Sequence, residues 1–431
     1  MNRPNIVIVV TDDQGYGDLS CMGATDFSTP HMDQAAGSGA LFTCMYSNSP
    51  VCSPSRASLL TGRYPARAGV RSILPGHRKA AGLSPDVPTI GSVVRQSGYK
   101  TGLVGKWHLG LAPESRPTEN GFDYFFGFMA GCIDYYSHIF YWGTGAGEAN
   151  PIHDLWENEQ EVFFNGEYMT ELITEKSVEF IRENSSDPFL LYVAYNAPHY
   201  PMHAPKKYLD RFPDLPPDRQ IMAAMLSAVD DGVGEIRAEL TRQGVLENTI
   251  FYFQSDNGPS RESRNWLDGR DDPYYGGTTG RFKGHKFSLF EGGIRVPAFI
   301  SWPAKIASDQ VIDIPCAAMD IYPTLLEIIG IESLSNQTDG ISILPLLLGK
   351  EFNKKREIYW EMGKQRAVRF GDYKLVIDGV LAEEKEPREH YSLYNLAEDP
   401  GERVNLAQEL PDYKDMLEHK VCEWFNNIVG E

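Results

Sequence analysis

Two acidic pairs stand far apart in the chain, Asp12-Asp13 and Asp256-Asn257. Three carboxylates and an amide offer only oxygen donors, a set that suits a hard divalent ion, Ca²⁺ or Mg²⁺, rather than zinc. A third stretch runs Ser49-Pro50-Val51-Cys52-Ser53-Pro54-Ser55-Arg56 and on to Thr61-Gly62-Arg63. Cys52 lies between two prolines and so on a stiff, non-helical bend. Leu59, Leu60 and the closing Gly62 read as a short helix that starts near Ser53 to Ser55. Cys52 is therefore expected just before a helix N-terminus, where free N–H groups and the helix dipole favour an anion. Arg56, one turn in, adds a fixed positive charge. That environment predicts a lowered thiol pKa. Lys106, His108, His199 and Lys286 supply further cations and proton carriers. Singly, each of these residues has an ordinary structural explanation, a turn, a core edge or a surface position; their grouping decides.

The grouping follows from the elements. Ile6 to Val10 is a β-branched run of the kind buried on both faces of a parallel sheet, and it ends at Asp12-Asp13. Lys100 to Val104 is a strand ending at Gly105-Lys106-Trp107-His108. Phe189 to Tyr195 ends at Asn196-Ala197-Pro198-His199, and Thr249 to Phe253 ends at Ser255-Asp256-Asn257. Ligands of open α/β sheets bind at the carboxyl ends of strands, so these four clusters are expected along one edge. Helices are expected from Thr29-Pro30 to about Ala36, Val87-Pro88 to Ser97, Tyr168 to Glu183, Asp218 to Gln243 and Asp320 to Ile329. Leu41 to Tyr46 reads as one strand that delivers the Cys52 loop, and Ala298 to Trp302 as another. Asn120 to Phe164, rich in Gly and aromatics, resists assignment. Composition turns polar around Gly349 to Lys355. Beyond it, short strands at Ile358 to Glu361, Arg366 to Arg369, Tyr373 to Ile377 and Ser392 to Tyr394 precede a helix from Asp412 to Phe425. The division expected is an α/β catalytic domain over 1–352 and a C-terminal subdomain over 353–431, a small antiparallel sheet with one helix.

The motif Cys52-Ser53-Pro54-Ser55-Arg56 followed by Thr61-Gly62-Arg63 resembles the signature of the type I, formylglycine-dependent sulfatases. Gly105 to Gly110, Ala197-Pro198-His199 and Lys286 to Pro297 resemble the same family in the same order. So do Leu393-Tyr394-Asn395-Leu396 and Asp399-Pro400-Gly401-Glu402 near the C-terminus. The resemblance implies an alkaline-phosphatase-like α/β sandwich, with a large, mostly parallel sheet flanked by helices. It implies that Cys52 is oxidised to formylglycine by a maturation enzyme. Asp12, Asp13, Asp256, Asn257 and the modified Cys52 would hold Ca²⁺, or Mg²⁺. Arg56 and Lys106 would fix the hydrate, one of whose hydroxyls attacks sulfur. His199, helped by Lys286, would protonate the leaving alcohol, and His108 would take the proton of the second hydroxyl as sulfate is expelled.

The chain has 431 residues and a formal net charge of −19, which argues against nucleic acid or an acidic membrane as partner. Six scattered cysteines form neither a disulfide framework nor a zinc pattern. The first apolar run is too short for a signal peptide, and no run approaches a membrane span, so a cytoplasmic location is expected. A small sulfated sugar, a mono- or oligosaccharide, fits that location better than a polymer. Its recognition is expected from loops Arg71 to Lys79, Asp134 to His138 and Arg261 to Asp272. Two other readings are a phosphomonoester or phosphodiester hydrolase of the alkaline-phosphatase-like superfamily, and a metal-dependent sulfated-glycan-binding protein whose Cys52 stays unmodified.

Overall fold

The computed structural model describes residues 3–141, 151–262, 273–331, 338–352 and 355–429. The expected boundary at 352/353 falls beside residues 353–354, and most of the third substrate loop is 263–272; both lie outside the described residues. The main sheet is built from β1 (Asn5–Thr11), β2 (Ala40–Phe42), β3 (Lys100–Lys106), β4 (Tyr124–Phe128), β5 (Trp156–Glu157), β6 (Gln160–Glu161), β7 (Phe189–Ala194), β8 (Thr249–Ser255), β9 (Ala298–Ser301) and β10 (Gln310–Ile312). These ten strands run in the order β10-β2-β9-β8-β1-β7-β3-β4-β5-β6.

The central five, β8-β1-β7-β3-β4, are mutually parallel. Val10 of β1 lies opposite Gln254 on one side and Ala194 on the other, so the three strands end level. Every residue of β1, β7 and β8 is buried, as continuous apolar runs covered on both faces require. A long helix (Met169–Asn184) packs against β7, β3 and a second helix (Pro217–Arg242). Its Leu172, Ile173, Phe180 and Ile181 are buried while Glu175, Arg182 and Glu183 face water, the stripe expected of an amphipathic helix.

The unassigned stretch turns out to extend the sheet, through β4, β5 and β6. Leu41 to Tyr46 is not one strand. Ala40–Phe42 pairs antiparallel with β9, whereas Met45–Tyr46 leaves the sheet and pairs with Cys316–Ala317. The change of partner aims the chain at the sheet edge where Cys52 sits. The helix expected from Val87 starts at Ile90, because Thr89 caps it, accepting the N–H of Ser92 at 3.0 Å.

The C-terminal part is a four-stranded antiparallel sheet, β11 (Glu357–Met362), β12 (Gln365–Phe370), β13 (Tyr373–Ile377) and β14 (Tyr391–Asn395), with the helix Pro411–Val429 closing the chain. Leu417 and Val421 of that helix pack with Val368, Leu375 and Leu393. A second cluster of Tyr46, Phe290, Trp360 and Tyr394 joins this sheet to the main one, and Trp360 donates its indole N–H to the carbonyl of Ser47 at 2.8 Å. No helix among the described residues is long and apolar enough to cross a membrane.

Candidate active site

The site is assembled from loops that leave the level ends of β8, β1, β7 and β3, and from the helix Cys52–Thr61. Cys52 is the first residue of that helix, not a residue before it, and Val51 is the extended cap. The helix ends at Gly62 in a left-handed conformation, φ 67°, where a Cβ would meet the Tyr322 ring at 2.9 Å. All ten helix residues are buried, and that reverses one expectation. Burial pushes the Cys52 thiol up to about 12, and Lys106 and Lys286 only oppose the rise. As a thiol, this group stays protonated.

Asp12, Asp13, Cys52 and His199 bring one ligand atom each within 4.8 Å of one another. Lys106 Nζ donates to Asp12 Oδ2 at 2.5 Å, and Lys286 Nζ to Asp13 Oδ2 at 2.9 Å. Asn257 donates its amide to Asp13 Oδ1 at 2.6 Å. Asp256 is engaged differently. Its Oδ2 accepts from Arg56 Nε at 3.1 Å and Nη2 at 2.8 Å, and its Oδ1 from the backbone N–H of Asp13 at 3.2 Å. It lies outside the tight four-residue cluster. Arg56 Nη2 also stands 3.6 Å from Asp12 Oδ1. Burial works against the Asp12 charge, but Lys106 and Arg56 hold its carboxyl below the usual range. Burial likewise opposes the Lys286 charge, yet Asp13 and Glu262 keep its ammonium well above the ordinary lysine range.

Asp12 Oδ1 and Asn257 Oδ1 are buried side-chain oxygens that no hydrogen bond satisfies. Buried polar atoms of that kind call for a partner. With the Asp13 carboxylate beside them they form an oxygen-rich donor set, and that set fits a hard divalent cation.

The two histidines differ in what their ring nitrogens face. His108 Nε2 lies 3.3 Å from the carbonyl of Leu74, an acceptor only, so Nε2 carries the hydrogen. Nδ1 is then a bare lone pair, buried and without a partner. Burial, reinforced by Lys106 and Arg56, holds His108 well below the usual histidine range and keeps it neutral. The ring fits because residue 131 is glycine; a Cβ there would approach His108 Cε1 to 2.7 Å. His199 is the reverse tautomer. Its Nδ1 donates to the carbonyl of Tyr200 at 2.7 Å, and its Nε2 stands 3.3 Å from Lys286 Nζ. Burial lowers its pKa as well.

These groups open onto a pocket of about 280 Å³ lined by Cys52, His108, His199 and Lys286 together with Leu74, Phe140, Tyr200 and Glu262. The structure thus brings Cys52, Arg56, Lys106, His108, His199, Lys286, Asp12, Asp13, Asp256 and Asn257 to one place. The sequence reading named the loop Arg261 to Asp272 for substrate recognition but not Glu262 within it, which accepts from Lys286 Nζ at 2.8 Å and from the Tyr200 hydroxyl at 3.1 Å. The available signal was its position, five residues beyond Asn257 in the same strand-end loop.

Comparison with known proteins agrees with this geometry. A family model described as Sulfatase matches residues 4–331, and one described as N-sulphoglucosamine sulphohydrolase, C-terminal, matches 280–425. The chain belongs to the sulfatase family, and its relatives are sulfuric ester hydrolases. It is 32% identical to N-acetylgalactosamine-6-sulfatase of Mus musculus, over 96% of this chain and 84% of that protein. It is 31% identical to arylsulfatase A of Homo sapiens, over 94% of this chain and 83% of the relative. The crystal structure of Ps i-CgsB with k-i-k-neocarrahexaose is similar with a TM-score of 0.86 at 30% identity, covering 98% of this chain and 93% of that one. PsFucS1 sulfatase from Pseudoalteromonas sp. gives 0.82 at 27% identity, over 100% and 91%.

Proposed function

We propose that this protein hydrolyses a sulfate ester of a small sugar to the alcohol and inorganic sulfate. The observation that carries the reading is the clustering of Cys52, the Asp12-Asp13 pair, Lys106, Lys286 and two histidines of opposite tautomer, with Cys52, Lys286 and both histidines lining one pocket. The names of the relatives, N-acetylgalactosamine-6-sulfatase among them, support a sulfated sugar as substrate. Asp12, Asp13 and Asn257 would hold the metal, for which Ca²⁺ fits best and Mg²⁺ second, and Asp256 would complete the set while anchoring Arg56. When present, the ion and the formylglycine made from Cys52 by a maturation enzyme supply charge neutralisation and a nucleophilic hydroxyl.

The chain's own residues do the rest. Lys106 and Arg56 place positive charge around the sulfuryl oxygens, in a site where burial strengthens every such contact. The bare Nδ1 of His108 takes a proton from the site as sulfate departs. His199 Nε2 and Lys286 Nζ, 3.3 Å apart, share the proton that the leaving alkoxide needs, and it resides on Lys286 until then. Residues 1–352 would form the catalytic domain, and 353–431 a subdomain that braces it.

The phosphatase reading is less favoured, because two-zinc sites of that superfamily use several His ligands and this cluster has one, His199. The test is the ratio of activity on an aryl sulfate and the matching aryl phosphate, followed by a panel of sulfated monosaccharides with released sulfate measured directly. A ratio in favour of phosphate would reject the proposal.

A further inference from the structure

Glu262 takes no part in the metal cluster, yet it is among the most firmly held groups of the pocket. Its Oε2 accepts from Lys286 Nζ at 2.8 Å and from Ser260 Oγ at 3.0 Å, and its Oε1 from the Tyr200 hydroxyl at 3.1 Å. The same Ser260 hydroxyl also accepts the backbone N–H of Glu262 at 3.0 Å. A carboxylate offers about four acceptor positions, and three are used here. One remains on Oε1. The side chain is 25% exposed, so an acceptor is left where a ligand can reach it. The group is ionised: burial disfavours its charge, but the Lys286 ammonium outweighs burial and holds it down to about 2.

Among the described residues, the pocket carries few groups that would hold a second anion. Among the described residues lining it, Lys286 is the one lysine or arginine, and its ammonium is already bonded to Asp13 and Glu262. Its apolar walls include Ile73, Leu74, Phe140 and the Tyr200 ring, which leans on His199 with centroids 4.1 Å apart. A ligand whose sulfate reaches the Cys52 end therefore meets apolar and aromatic surface plus one fixed carboxylate. A hydroxyl can donate to that carboxylate. A carboxylate or sulfate on the ligand is repelled by it, and repulsion of the wrong ligand is how sites of this kind discriminate.

Taking the sulfatase reading as the basis, we propose that Glu262 selects sugars in which the carbon next to the scissile sulfate carries a free hydroxyl and no second anionic group. The substrate class is a neutral or N-acetylated pyranose monosulfate, bound with its ring against Phe140 and Tyr200.

The test compares kcat/KM for hexose and N-acetylhexosamine monosulfates with that for the same sugars bearing a second sulfate on the adjacent carbon. Wild-type protein should favour the monosulfates by at least about tenfold. Glu262→Gln should shrink that ratio toward unity, while Glu262→Asp, which keeps the charge, should retain most of it. A purely structural role would lower both rates and leave the ratio alone. A ratio unchanged in Glu262→Gln, or a wild-type preference for the disulfates, overturns the assignment. Hydrolysis of an activated aryl sulfate, measured in parallel, reports the sulfatase reading separately. With aryl sulfate turned over, an unchanged ratio removes only the role of Glu262; without such turnover, both fall.

Discussion

Phe287 donates its backbone N–H to the carbonyl of Pro50 at 3.1 Å, and this bond ties the Lys286 loop to the bend that carries Cys52. Phe287 has φ 73°, a left-handed conformation that costs a bulky residue about 1–3 kcal/mol. The surroundings hold it there. Its carbonyl accepts from Gln365 Nε2 at 2.8 Å, and Gln365 belongs to the C-terminal sheet. The Oε1 of Gln365 accepts the N–H of Val380 at 3.1 Å. His285, on the other side of Lys286, lies 2.7 Å from Glu383 of the same C-terminal part. The C-terminal part therefore grips the Lys286 loop from both sides.

Gln365→Ala should loosen that grip. It leaves the part-buried Phe287 carbonyl and Val380 N–H, and the buried Leu289 N–H, without this partner, a loss of about 1–3 kcal/mol that urea denaturation can read. Because Lys286 then wanders, kcat on a sugar sulfate should fall while metal content stays unchanged. Unaltered kcat with lowered stability would make the contact a structural one only.

A buried charge cluster at the same junction sets an expected pH dependence of stability. Lys374 Nζ stands 2.9 Å from Glu291 and 3.0 Å from Glu402. Burial works against the Glu291 charge, but Lys374 and Arg295 win, and its pKa falls from 4.5 to about 2. Its contribution is thus present above pH 4.5 and lost as pH drops through about 2. Glu402 goes the other way. Burial, with Glu291 adding to it, raises its pKa from 4.5 to about 7. Its contribution is full below pH 4.5 and lost as pH rises through about 7, a loss of roughly 3 kcal/mol. Glu402→Gln should remove the decline between pH 4.5 and 7 and leave the acid limb intact. Melting temperatures of the two proteins across that range should converge at low pH and separate above it. Parallel curves would reject the assignment.

How much of this was legible in the sequence depended on what local pattern encodes. The apolar runs of Ile6 to Val10, Phe189 to Tyr195 and Thr249 to Phe253 announce buried parallel strands, and the polar residues after each run are where the site lies. Burial of the Cys52 helix was not legible. The dipole and Arg56 argue for a thiolate, and only tertiary packing shows desolvation prevailing. The split at Leu41 to Tyr46 was hidden as well, since both pieces are apolar and only their partners, Ala298–Ser301 and Cys316–Ala317, distinguish them. The loop of Glu262 was legible as a recognition loop, but its position after Asn257 does not by itself say which carboxylate of that loop turns inward.

The two histidines should fail differently. His199→Ala should cost about 10²–10⁴-fold on sugar sulfates, whose alkoxides need a proton, and much less on activated aryl sulfates. Equal losses on both would count against a leaving-group role. His108→Ala should leave the first sulfate transfer largely intact and stall release, so sulfated protein should accumulate and be seen by intact mass. Its absence at early times would remove His108 from that step.

Elemental analysis should find about one Ca²⁺ or Mg²⁺ per chain, an oxygen-donor ion as the acidic set demands. Asp13→Asn should lose it. Asp256→Ala should lose it too, and should also destabilise the fold by about 3–5 kcal/mol, because Arg56 remains buried without its 2.8 Å partner. Stoichiometric zinc would revive the phosphatase reading.

The proposed mechanism rests on the chemical state of Cys52. Mass spectrometry of the tryptic peptide ending at Arg56 examines it directly, in preparations made with and without a maturation enzyme. In active protein the peptide should be lighter than its encoded mass, react with hydrazide reagents and resist iodoacetamide, and specific activity should scale with the converted fraction. Full activity in a preparation whose Cys52 is entirely thiol would contradict the account.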